Sequence, residues 1–219
     1  MPKVGVLLAG CGVQDGSEIY ESVLTLLALE RAGATWLAMA PDVEQAHVVN
    51  HYTGEEDRRS TRRALTEAAR LVRGKISSIH EISAHDIDAL IIPGGYGVAK
   101  NLCSFAVDGA EARVNPHAER LIQDLHGLGK PIGAICIAPV LVALALPGKN
   151  LQLTVGDDAA TSLALTRIGA GHHITTVSEI WVDETNNIVS TPAFMLAHSA
   201  LEAETGINKL VATVLERIP

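Results

Sequence analysis

Three apolar runs, Val4–Leu8, Ala89–Ile92 and Ile132–Ile135, do most to limit what this chain can fold into. None alternates with polar residues, so each reads as a strand buried on both faces, the pattern of a parallel sheet. Each also stops at small or turn-forming residues: Gly10 and Gly12 after the first, Pro93-Gly94-Gly95 after the second, Cys136 after the third. Segments of helical character lie between them. Strands alternating with helices predict a three-layer α/β sandwich, a mostly parallel sheet with helices on both faces. The 219 residues suit one such domain, 1–219, with insertions.

Local signals fill in the order. Ser17 is placed to cap a helix running to Arg31, with Leu24, Leu27 and Ala28 on its inner face and Gly33 at its end. Thr35–Ala40 reads as a strand, Pro41–Glu55 as a polar loop and Glu56–Val72 as a helix. Asn115-Pro116 opens a helix to His126. After Cys136 come a short helix from Ala138 to Leu146, a strand Leu151–Val155 and a helix Asp158–Ile168. Ile180–Asp183 and Ile188–Thr191 make a hairpin about Asn186-Asn187. Pro192 opens a helix to Glu204, and Asn208–Arg217 forms a last helical segment.

Composition excludes several classes of partner. A net charge of -8 disfavours nucleic acid and anionic membranes, and 3% aromatic residues leave little for a base-stacking surface. No apolar stretch reaches the length of a membrane span. Three cysteines, Cys11, Cys103 and Cys136, do not form a disulfide framework and suggest a reducing compartment, the cytoplasm.

The chemistry centres on Gly133-Ala134-Ile135-Cys136-Ile137-Ala138-Pro139, where small residues flank a cysteine between a buried strand and a helix. This is the form of a nucleophile elbow. It lifts the side chain at the carboxyl edge of the sheet, where open α/β folds bind ligands. The helix amino-terminus favours a thiolate, and the Ile137 N–H is placed to meet a developing oxyanion. A buried structural cysteine is the plainer alternative. Gly94 and Gly95 also follow a strand, let backbone approach a ligand, and offer the Gly95 N–H as a second oxyanion donor. The first turn holds Asp15, Glu18 and Glu21. Glu18 suits dipole compensation, whereas Glu21 sits one turn deeper, where burial raises a carboxyl pKa and makes it a proton shuttle.

Other patterns carry less. Gly10, Gly12 and Gly16 miss the dinucleotide spacing by one residue, and three acids there repel a pyrophosphate, although Asp42 could mimic a ribose acid. His47, His51, His172 and His173 lack metal-ligand spacing. Arg58, Arg59, Arg62 and Arg63 are interleaved with Glu55, Glu56, Asp57 and Glu67, as on a solvated, salt-laced helix face.

Gly10-Cys11-Gly12-Val13-x-Asp15-Gly16-Ser17-Glu18-Ile19, Asn50-His51-x-Thr53-Gly54-Glu55, Pro93-Gly94-Gly95, Lys100-Asn101-Leu102 and Cys136-Ile137-Ala138-Pro139 together resemble the enhancing lycopene biosynthesis proteins, also described as glyoxalase ElbB. That family lies in the class I glutamine amidotransferase-like, PfpI-type superfamily, and the resemblance covers nearly the whole chain. It implies a flavodoxin-like sandwich, a homodimer, no cofactor, and glutathione-independent conversion of glyoxal to glycolate. It carries the elbow cysteine onto Cys136, the helix-one glutamate onto Glu21, and the oxyanion donors onto Gly95 and Ile137. Where hydrolase and amidotransferase relatives hold histidine, this chain has Ile137, Gly156 and Thr191, so no Cys-His-acid triad is expected.

The expected substrate is a small aldehyde, because acids and the glycine loop leave little room. Asp15, His51 and Asn101 are expected at the mouth without assigned roles. A redox-responsive regulatory thiol with little turnover is the main alternative, and a metabolite-binding module with no turnover is a third.

Overall fold

The computed structural model describes residues 1–219. In chain order the elements are β1 (Lys3–Leu7), α1 (Ile19–Arg31), β2 (Thr35–Ala40), β3 (Val49–Asn50), β4 (Glu55–Glu56), α2 (Ala64–Ala68), β5 (Ser77–Ser78), β6 (Ala89–Ile92), α3 (Phe105–Asp108), α4 (Pro116–Gly127), β7 (Ile132–Ile135), α5 (Ala138–Ala145), β8 (Gln152–Leu153), α6 (Ala159–Ile168), β9 (Gly171–His172), β10 (Trp181–Asp183), β11 (Ile188–Thr191) and α7 (Ala200–Glu216). Seven strands form one sheet in the order β10-β11-β7-β6-β1-β2-β5, parallel except for the edge strand β10.

Period-2 alternation divides the strand side chains between two cores. Leu90 and Ile92 point into the core that α4 and α5 cover, while Ala89 and Ile91 point into the core that α1 and α7 cover. Every side chain of β6 and β7 is buried, as their unbroken apolar runs require. From β1 the chain winds outward to β2 and β5 on one side, and through β6, β7 and β11 on the other. That reversal opens a crevice at the carboxyl ends of β1, β6 and β7, the place where doubly wound sheets bind ligands.

Three local expectations are corrected. Helix α1 is capped by Glu18, whose Oε2 accepts the Glu21 N–H at 2.7 Å, while the Ser17 hydroxyl oxygen accepts the Ala9 N–H at 2.8 Å. Its buried face is Glu21, Ser22, Thr25, Leu26, Ala28 and Leu29, and Leu27 is exposed. Leucines surround much of this helix, so contact with α7 and the sheet sets its phase. In the 56–72 segment only Ala64–Ala68 is α-helical. The Asp57 carboxylate accepts from the Arg59 N–H and the Ser60 hydroxyl, and backbone donors of Gln45, Asp57 and Ala64 cross-link the flanking loops. The region after Pro192 is a 3₁₀ turn, Ala193–Met195, and then one uninterrupted α7. Gly206 does not break that helix. A Cβ there would stand 2.6 Å from Thr191 Oγ1, so this glycine serves close packing of α7 on β11.

No helix is long and apolar enough to cross a membrane. The arginine cluster is salt-linked, although not on a helix: Arg58 pairs with Glu56, Arg59 with Asp57 and Arg62 with Glu67 as expected, whereas Arg63 pairs with Asp42 at 2.7 Å. No group of three or more His, Cys, Asp or Glu side chains is gathered to hold a metal ion.

Candidate active site

The β7–α5 turn puts Cys136 in the left-handed region, φ 61°, with its N–H donating to the Thr191 carbonyl at 2.9 Å. A non-glycine residue in this conformation is strained by about 1–3 kcal/mol, and such strain collects at functional sites. Ala193, φ 42°, is a second such residue, and it directs the following N–H, that of Phe194, onto Glu21.

Glu21 projects from the buried face of α1 beneath the elbow, against Cys136. Its Oε2 accepts the Gly94 N–H at 2.7 Å and its Oε1 accepts the Phe194 N–H at 3.2 Å. Gly94 has no space for a side chain: a Cβ would lie 2.5 Å from Cys136 Cβ and 2.8 Å from Glu21 Oε2. Gly95, φ 96°, lies so close to the Glu18 and Gly16 backbone that a Cβ would collide with it. The N–H groups of Gly95 and Ile137 face the Cys136 sulfur and favour its thiolate. The structure therefore brings Cys136, Glu21, Gly94, Gly95 and Ile137 together. A backbone clasp holds the loops in place, with Glu18 N–H on the Gly94 carbonyl at 2.9 Å and Tyr96 N–H on the Val13 carbonyl at 2.7 Å.

Electrostatics departs from the expected low-pKa thiolate. Burial pushes the Cys136 thiol well above its ordinary range, Glu21 raises it further, and the Gly95 and Ile137 N–H groups offset only part of this. The short α5 start does not outweigh desolvation. Burial first, and the Glu18 carboxylate second, drive Glu21 up to about 8, against the Gly94 and Phe194 N–H groups. At pH 7 the pair rests neutral, a carboxylic acid against a thiol, and its two protons titrate as a unit.

Glu18, expected to offset the helix dipole, does so as the cap of α1, but it is also part of the site. It is 7% exposed and shares a cavity wall with Cys136. Burial raises its pKa, opposed by N–H groups of Glu21, Tyr20 and Ile19. Asp15, His51 and Asn101, expected at the mouth, instead form a structural clasp. Asp15 Oδ2 accepts the Val49 N–H at 2.7 Å. His51 Nε2 accepts the Gln14 N–H at 3.2 Å and Nδ1 faces the Val49 carbonyl at 3.1 Å, which sets its tautomer. Asn101 donates to the Ala9 and Asp15 carbonyls and accepts from Ala46.

The cavity over the thiol holds about 420 Å³, and its walls include Tyr96, Ala99, Phe105, Ile137, Phe194 and Met195, with Glu18 and Asp158 as its charged residues. It is roomier than the sequence suggested. No histidine lines it. Ile137 is on its wall, Gly156 packs against Leu196, and the Thr191 hydroxyl donates to the Glu179 carbonyl at 2.8 Å. Phe194 and Met195 were not among the residues expected at the site. Their position after the last parallel strand, beside β7 in the sheet, is the signal that could have found them. A shallow hollow of about 510 Å³ around Thr176, His198 and Glu202 shares no residue with this cavity.

Residues 11–197 match the DJ-1/PfpI family, and the chain belongs to it. It is 44% identical over 223 residues to the ES1 protein homolog, mitochondrial, of Rattus norvegicus, spanning 98% of this chain and 83% of that protein. The human glutamine amidotransferase-like class 1 domain-containing protein 3, mitochondrial, is also 44% identical, over 98% of this chain and 82% of its own length. The crystal structure of an isoprenoid biosynthesis protein with amidotransferase-like domain from Ehrlichia chaffeensis superposes with a TM-score of 0.93 at 33% identity over 100% of both chains. The resemblance drawn from the motifs and its flavodoxin-like sandwich therefore hold. The cytoplasmic placement is corrected: the rat and human relatives are mitochondrial by name. Sparse free thiols report reducing conditions, not an address within the cell.

Proposed function

We propose that this protein is a cofactor- and glutathione-independent glyoxalase that converts a 2-oxoaldehyde such as glyoxal, with one water, to the 2-hydroxy acid. One observation carries the reading: a thiol on a strained elbow lies against the fully buried carboxyl of Glu21, with the Gly95 and Ile137 N–H groups facing the sulfur, and burial pushes the Glu21 pKa up to about 8. A thiol beside a proton donor of near-neutral pKa suits addition to a carbonyl, because nucleophile and acid arrive together.

The Cys136 sulfur bonds to the aldehyde carbon, and the thiol proton passes through Glu21 to the carbonyl oxygen, giving a hemithioacetal. The Gly95 and Ile137 N–H groups stabilise the oxyanion as it forms. A base removes the proton on the sulfur-bearing carbon, giving an enediol, and reprotonation at the neighbouring carbon leaves a thioester. Water cleaves it to the 2-hydroxy acid and restores the thiol, with no net oxidation. Glu18 is the fitting base. It lines the cavity, and burial raises its pKa against helix N–H groups that favour the carboxylate, which strengthens it as a base, whereas Glu21 rests protonated. The absence of a histidine from the cavity argues against glutaminase and peptidase chemistry.

The test is steady-state turnover of glyoxal without glutathione, with glycolate measured directly, in wild type and Cys136→Ala. Glycolate formation that depends on Cys136 supports the proposal. Equal rates in the two proteins, or none in either, defeat it.

A further inference from the structure

The cavity is larger, and more apolar, than glyoxal needs. Its volume is about 420 Å³, and at roughly 30 Å³ per water in the liquid it has room for on the order of a dozen non-hydrogen atoms. Glyoxal has four. Its walls include Phe105, Ala106, Ala160 and Met195, none of which offers a side-chain hydrogen bond. Water held against such a surface gains from being displaced by an apolar group.

The charge on the walls is equally selective. Glu18 and Asp158 are the only charged residues lining the cavity, and neither lysine nor arginine is among them. Asp158 caps α6, and the Thr161 hydroxyl and N–H hold its carboxyl below the usual range, so it stays ionised. Lys100, whose ammonium lies 5.6 Å from the Tyr96 ring centroid, donates to the Gln14 carbonyl at 2.8 Å. An anionic substituent (phosphate, diphosphate or carboxylate) would enter against two acids with no counter-charge on the wall.

Resting on the glyoxalase reading, we propose that the preferred substrate is a neutral 2-oxoaldehyde carrying an apolar substituent of about four to six carbons. The aldehyde end meets Cys136 and the substituent fills the space between Phe105, Ala160 and Met195. The chemistry is that of glyoxal. A carbon–sulfur bond forms at the aldehyde carbon, its hydrogen moves as a proton to the adjacent ketone carbon, and one water releases the 2-hydroxy acid.

The test is kcat/KM on the purified protein, glutathione absent, for glyoxal, methyl-, propyl- and butylglyoxal, phenylglyoxal and its 4-carboxy derivative. From methyl- to butylglyoxal kcat/KM should rise about fourfold per methylene, the equivalent of about 0.8 kcal/mol, mainly through KM. Phenylglyoxal should exceed the carboxylate at least tenfold. Ala160→Phe, checked by thermal melt, should reduce the butyl-to-methyl ratio at least fivefold. A flat or falling alkyl series, or a preference for the carboxylate, with Cys136-dependent glyoxal turnover intact, overturns this inference and leaves the glyoxalase reading standing. No Cys136-dependent turnover of any member overturns both.

Discussion

Replacing Glu21 with Gln should flatten the pH dependence of this protein's stability. Glu21 is fully buried, and its pKa rises from 4.5 to about 8. An acid that binds its proton more tightly when folded contributes stability that is complete below about pH 4.5 and is lost as pH climbs through about 8. Between pH 5 and pH 8 the loss comes to about 3–4 kcal/mol, at roughly 1.4 kcal/mol per unit. In a chain of this size that is about 7–14 °C in Tm. Gln cannot ionise, so this loss disappears. It also presents one oxygen where Glu21 has two, and two N–H groups, those of Gly94 and Phe194, need acceptors. Leaving one unpaired costs about 1–3 kcal/mol at every pH. The variant should therefore be less stable than wild type at pH 5 and more stable at pH 8, with the two curves crossing. Urea unfolding of both proteins at pH 5, 6, 7 and 8 measures this directly. Glyoxal turnover should meanwhile fall at least about a hundredfold, as expected when a general acid is lost. Parallel stability curves for the two proteins would refute the burial argument, whatever the activity does.

Alkylation of Cys136 by iodoacetamide, located by mass spectrometry, should speed up only on the alkaline side in wild type, and Glu21→Gln should shift that profile to lower pH, because Glu21 helps to hold the thiol protonated; an unchanged or higher inflection contradicts this. Gly94→Ala places a methyl 2.5 Å from Cys136 Cβ and should cost about 1–3 kcal/mol with at least tenfold lower turnover, whereas Gly127→Ala, with open space at its Cβ, should be neutral or stabilising by up to about 1 kcal/mol; equal effects in denaturant melts would undo the packing account. Asp15→Ala should lower stability by about 1–3 kcal/mol by stranding the Val49 N–H, and a large kcat effect at full stability would return Asp15 to the site. Glu18→Gln should slow exchange of the substrate carbon-bound proton, followed by deuterium incorporation into glycolate, while hemithioacetal formation on Cys136 persists; unchanged incorporation and turnover would remove Glu18 from the base role.

The sequence by itself determined the strands and the elbow. A run such as Ile132–Ile135 that is apolar on both faces can only be satisfied inside a covered sheet, and the small residues after it permit only a tight turn, so Cys136 and Gly94-Gly95 were readable at the carboxyl edge. The capping roles of Asn115 and Asp158 were equally local, since a cap is a contact with residues two or three positions away. Three things were decided only in the tertiary structure. The phase of α1 was one: with leucines around most of its circumference, packing against α7 and the sheet turned Leu26 and Leu29 inward and left Leu27 exposed. The second was the cavity, because Phe105, Ala160 and Phe194 come from three separate segments and no spacing relates them. The third was the direction of the Cys136 pKa. A helix amino-terminus can be read from local sequence, but desolvation depends on every chain segment that packs over the thiol, and here desolvation is the larger effect.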